Sequence, residues 1–235
     1  FKQGNFHFLA GSKTGNLTNE GIIHAGKNGN IVLIAPHIEN NGLIHSEGGN
    51  IVLAAGQELV LTNLDDPDVR FQIQAPENSV LNLGKLLTEG GAINVFAGSL
   101  KHSGDISADS VEIDRQGNIR LVTKNTLEVS ANSKISANNQ MGDGGHITVE
   151  STDDTANIKG TLQAEGAKKG GSIDVLGNDV SLTQNANIKT DGQQDGGNIL
   201  IGGDYQGKNP LIHNADTTTV DSSVILQANS IDHGK

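Results

Sequence analysis

Cysteine and tryptophan are absent from this 235-residue chain, which holds one tyrosine, one methionine and four prolines. Without cysteine there is no disulfide, no thiolate nucleophile and no cysteine-ligated metal. Aromatic residues make up 3% of the chain and hydrophobic residues 34%, while 31 residues are glycine, about twice the usual share of roughly 7%. A compact globule needs bulky side chains to fill a deep interior, and this chain has enough only for a thin core built from small rungs. No stretch reaches the roughly 18 uninterrupted apolar residues of a membrane-spanning helix. Lys and Arg number 16 against 27 Asp and Glu, and the net charge of −11 repels a phosphate backbone, which argues against nucleic acid as a partner. The chain opens at Phe1 with neither Met nor a basic-then-apolar leader, so a processed or excised piece is expected.

What is present is a repeat. Gly29-Asn30-Ile31-Val32-Leu33 returns as Gly49-Asn50-Ile51-Val52-Leu53, a shift of 20. Related phrases carry Ile93, Ile119, Ile147, Ile173 and Ile199, separated by 26, 28, 26 and 26 residues. Within one unit lie three short alternating runs, such as Ile119-Arg120-Leu121-Val122, Thr126-Leu127-Glu128-Val129-Ser130 and Lys134-Ile135-Ser136-Ala137. Alternation puts one face inward and one outward. Corners rich in Gly, Asn and Asp separate the runs, residues that tolerate positive φ. Three strands and three corners per unit predict an all-β, right-handed parallel β-helix, a solenoid. The expectation is about nine or ten coils, roughly 45 Å of rod at about 4.8 Å per coil. Ile31, Ile51, Ile93, Ile119, Ile147, Ile173 and Ile199 then form one ladder along a single β-helix spanning residues 1–235.

Two interruptions are predicted as extra-helical loops or hairpins. The spacing fails from Asp65 to about Gly90, where Asp65, Asp66 and Asp68 flank Pro67 in an exposed turn. It fails again after Ile201, where Gly202 to Pro210, with Asp204 and Tyr205, is too glycine-rich for a strand. These two loops are the candidate surface sites, since the chain leaves the regular stack there.

No catalytic residue, metal ligand or cofactor is expected. The eight histidines make neither HxxxH nor HxH; His24 and His45 occupy equivalent places one coil apart, where a ladder of like side chains explains them. The acidic turns lack the order of a calcium loop. Glu112, Asp114 and Arg115 read as a salt-bridged corner on one strand. No GxSxG elbow and no phosphate-binding Lys accompanies the glycines. A carbohydrate-active β-helix enzyme is the alternative, and the scarcity of aromatic platforms and arginine argues against it.

The phrases from Asn28 to Ile44, with Gly49 to Gly56, then Ala75 to Lys85 and Gly90 to Ile93, resemble the haemagglutination-activity region of filamentous-haemagglutinin-like exoproteins. Gly202-Gly203-Asp204-Tyr205-Gln206-Gly207 is similar to a segment just beyond that region. The resemblance is most specific over residues 28–107. It implies that 1–110 is the latter part of the secretion and haemagglutination-activity region, and 111–235 a continuation of β-helix repeats. It also implies a TpsA passenger of two-partner (type Vb) secretion, the N-terminal part of a large exoprotein. Such a passenger is exported by Sec and through an outer-membrane TpsB transporter with POTRA domains, to the surface of a Gram-negative bacterium. Adhesion, aggregation or biofilm formation through a host or bacterial receptor or an exopolysaccharide follows, with a toxin stalk or haem-acquisition exoprotein as further alternatives. The family's NPNG- and NPNL-type motifs do not occur here.

Overall fold

The computed structural model describes residues 6–9, 15–56, 58–61, 79–82 and 84–232. Nearly all regular structure is short strands, arranged as three parallel sheets. The first sheet runs from Leu17–Asn19 to Thr217–Val220 in eight strands, and the second from Ile22–Ala25 to Ile225–Gln227, also in eight. The third runs from Ile31–Ile34 to Asn198–Ile201 in seven. Successive strands in the chain visit the three sheets in turn, and each pairs with its equivalent one coil away. This is a parallel β-helix.

Strand alternation explains the core. In Asn118–Thr123 and His146–Ser151 every second residue is buried and the others are half exposed. The inward side chains stack by register: Ile31 on Ile51, then Ile93, Ile119, Ile147, Ile173 and Ile199. Ile51, Ile93, Ile119, Ile147 and Ile173 are fully buried. The second sheet adds Ile44, Leu86, Ile106, Ile135, Leu162 and Ile188 on one row. A coil alone leaves its inward face half covered, so stability resides in neighbouring coils.

A second column explains the recurring glycine. Gly49, Gly91, Gly145, Gly171 and Gly197 precede third-sheet strands, and a Cβ on any of them would collide with the carbonyl oxygen of the equivalent glycine one coil earlier. Their φ angles are ordinary. The sequence alone suggests positive φ as the reason for glycine at the corners; for this column the reason is close backbone approach. Positive φ applies at Gly48 (75°) and Gly90 (68°) instead.

The coil count differs from expectation. Among the described residues there are seven complete coils and two strands of an eighth, about 34 Å of rod. The reason is that chain is spent outside the stack. Glu58–Leu61 pairs antiparallel with Phe6–Leu9 instead of joining a parallel sheet, and 202–216 holds only the single-turn helix Tyr205–Gly207. The first interruption also ends sooner than its spacing suggests, because Ser79–Asn82 and Lys85–Thr88 already belong to the stack. Asp65, Asp66 and Asp68 lie outside the described residues.

Candidate functional site

The interior is not wholly apolar. At the corner after the first sheet, Asn19 donates from Nδ2 to Asn40 Oδ1 at 2.8 Å, and Asn40 donates to Asn82 Oδ1 at 2.8 Å. Asn82 Nδ2 then meets His102 Nδ1 at 3.1 Å. Each amide satisfies the next, which offsets the cost of burying polar groups. In the following coils the same column turns apolar, as Val129, Ile158 and Leu182. His102 thus marks where an amide ladder gives way to a hydrocarbon one. The signal for it in the sequence is the Asn-Asn-Asn-His series at the last position of equivalent strands.

His102 is fully buried, and among the described residues its Nε2 has no hydrogen bond of ordinary geometry. Burial lowers its pKa from 6.5 to about 4, since the cation cannot be solvated there. An unfolded chain takes up this proton near 6.5 and the folded one only near about 4. The stability held by neutral His102 is therefore complete above 6.5, falls through that window and levels off below it. The loss is on the order of 3 kcal/mol. Urea unfolding of His102→Asn is expected to lack this component of the pH dependence. A pH dependence identical to that of the unaltered chain would sink the assignment.

Outside the rod, the corner between second and third sheets carries a shallow groove of about 390 Å³. Glycines 48, 49, 90 and 91 form its floor, and the amides of Asn28, Asn30, Asn118 and Gln116 line it with Arg115. Arg115 reaches back across two coils, where Nη2 donates to the Gly48 carbonyl. A Cβ at Gly48 would run into the guanidinium, and one at Gly90 into the arginine stem. The salt-bridged strand expected at Glu112, Asp114 and Arg115 is not observed. Glu112 and Asp114 are exposed in a turn, and Arg115 uses a backbone carbonyl because its side chain points back over the glycines.

The outer face of the third sheet changes along the rod. Ile51–Ala54 and Ala92–Ala97 are buried on both faces, and the Arg120 guanidinium lies 5.9 Å from the Phe96 ring centre. Beyond that point the face is mixed, with Thr148, Glu150 and Asp174 beside Val122, Leu176 and Leu200. His146 Nδ1 contacts Ser172 Oγ, its Nε2 lies 2.9 Å from Thr148 Oγ1, and Asp174 Oδ2 stands at 3.6 Å. Burial raises the Asp174 carboxyl above its ordinary range, and His146 opposes that rise. Both imidazole nitrogens are engaged by hydroxyls, so the carboxylate does not orient a histidine base toward a serine as a hydrolytic triad requires.

Of the sequence-predicted surface residues, Tyr205 is exposed and Asp204 takes its backbone from the stack, donating N–H to Asn214 Oδ1 at 3.3 Å. The same excursion sends His213 back to the sheet, with Nε2 2.8 Å from Asn178 Oδ1 and Nδ1 3.8 Å from Glu150. His24 and His45 pair in register on the outer row of the second sheet. Among the described residues no group of three or more His, Asp or Glu is gathered to hold a metal ion. No helix among them is long and apolar enough to cross a membrane.

No family model and no curated protein matches the chain. Among solved structures it is similar to the HMW1 secretion domain from Haemophilus influenzae, with a TM-score of 0.71 and 27% identity. The match covers 95% of this chain and 69% of that one. The likeness thus spans nearly all of the chain and about two thirds of that secretion domain.

Proposed function

We propose that this β-helix belongs to a secreted bacterial exoprotein exported by two-partner secretion, with an outer-membrane TpsB transporter as its partner. The observation that carries the reading is the likeness to the HMW1 secretion domain over 95% of the chain. The physics of the rod suits that route. A chain without cysteine carries no disulfide to obstruct threading through a pore. Each emerging coil needs only the exposed edge of the preceding one as its template, because strand pairing joins each coil to its neighbours. Stacking outside the membrane then opposes return.

The same reading makes the protein a scaffold for adhesion, aggregation or biofilm formation at a Gram-negative cell surface, and not an enzyme. The outward polar ladders and the loop at Asp204 and Tyr205 are the surfaces such a scaffold offers to a receptor or exopolysaccharide. Expression of the protein in a Gram-negative host with and without a co-expressed TpsB transporter tests the export route. Surface appearance is expected only with the transporter. Release that ignores the transporter removes the basis of the reading.

A further inference from the structure

We infer that His24 and His45 form a two-imidazole site for a borderline divalent transition-metal ion, with Cu²⁺ bound most tightly. The sequence gives no ligand pair of ordinary spacing, because these histidines lie 21 residues apart. One coil of β-helix converts that separation into adjacency. His24 and His45 sit opposite each other on neighbouring parallel strands, Ile22–Ala25 and Leu43–Ser46. Their ring centres are 5.2 Å apart and the planes are inclined by 30°.

The carboxylates determine which nitrogen is available. His24 Nε2 lies 3.1 Å from Glu47 Oε1, and His45 Nε2 lies 3.2 Å from Glu89 Oε1. A carboxylate only accepts, so each neutral imidazole carries its hydrogen on Nε2 and leaves the Nδ1 lone pair as the acceptor. Neither Nδ1 has a hydrogen-bond partner among the described residues. A carboxylate holding the far N–H of an imidazole is the usual outer partner of a metal-ligating histidine; it sets the tautomer and raises the basicity of the ligating nitrogen. Here that partner is present twice, on adjacent rungs.

Geometry asks for one adjustment. Two nitrogens each about 2.0 Å from one ion are at most about 4 Å apart, so the two rings, now 5.2 Å apart centre to centre and inclined by 30°, must turn to aim both Nδ1 lone pairs at one point. Both side chains are solvent-accessible, 47% exposed for His24 and 27% for His45,, which leaves them room to turn. Water fills the remaining positions. Two imidazoles with open positions suit Cu²⁺, Ni²⁺ and Zn²⁺, and the general affinity order places Cu²⁺ first.

The test titrates tag-free protein with CuCl₂ by calorimetry and records the electron paramagnetic resonance spectrum of the one-to-one mixture. Saturable uptake is expected, with superhyperfine splitting from two nitrogens. His24→Ala and His45→Ala should each weaken uptake, and the double variant should lose it while keeping the circular dichroism of the folded rod. Glu47→Gln with Glu89→Gln should weaken uptake while the two-nitrogen signature persists. No saturable uptake, or uptake unchanged in the double histidine variant, overturns the site. The site is independent of the export route, so failure here leaves that reading standing.

Discussion

Replacing Ile147 with aspartate is expected to abolish cooperative folding of the rod and, in the parent protein, its appearance outside the cell. Ile147 is fully buried between Ile119 and Ile173 on the third-sheet ladder. Truncating such a side chain costs about 2–5 kcal/mol in lost transfer and cavity terms. An unpaired buried carboxylate adds about 3–5 kcal/mol more, and a whole domain holds only about 5–15 kcal/mol. Stability in a solenoid is a sum of coil and interface terms, so the break opens both interfaces of one coil. Urea unfolding followed by circular dichroism, with limited proteolysis to locate the break, measures the effect. Ile147→Val is the control and is expected to cost about 1 kcal/mol. Normal folding and export of both Ile119→Asp and Ile147→Asp would refute coil-by-coil stacking as the basis of the fold.

The second large effect is expected at a residue with no side chain. In Gly171→Ala the new Cβ meets the Gly145 carbonyl oxygen and the backbone of Gly144, neither of which is the flexible end of a side chain. The strand must move away from its neighbour, and overpacking of this kind costs about 1–3 kcal/mol or more. For a chain of this length each kcal/mol lowers the melting temperature by roughly 2–4 °C. Adding Gly145→Ala should worsen the loss, since its methyl strikes the Gly117 carbonyl oxygen and crowds both the methyl and the carbonyl of Ala137. Gly26→Ala is the matched control, with nothing within 4 Å of its added carbon, and should be close to neutral. Equal melting temperatures for Gly26→Ala and Gly171→Ala would show that the column is not held by close approach.

Much of the architecture was legible because a solenoid writes its geometry into the period of its sequence. The phrases around Ile93, Ile119, Ile147, Ile173 and Ile199 recur once per coil, so their spacing alone reads as a ladder. The alternation of Asn118–Thr123 and His146–Ser151 similarly assigned inward and outward faces. Coil number was less legible, because nothing local distinguishes a strand that joins the stack from one, like Glu58–Leu61, that pairs antiparallel outside it. The chemistry along the surface was hardest to read. Arg115 looked like the partner of its sequence neighbours Glu112 and Asp114, yet it bonds to Gly48, 67 residues away.

By itself, then, the sequence determined a repeating β-stack with an isoleucine core, since hydrophobic alternation at period two depends only on neighbours along the chain. The tertiary structure decided which polar residues share a column: Asn19, Asn40 and Asn82 with His102 inside, and His24 with His45 outside. Corners differ in length from coil to coil, so sequence separation does not give the phase between coils. Only the hydrogen-bonded register does, and that register arises when every coil settles onto the backbone of the one before it.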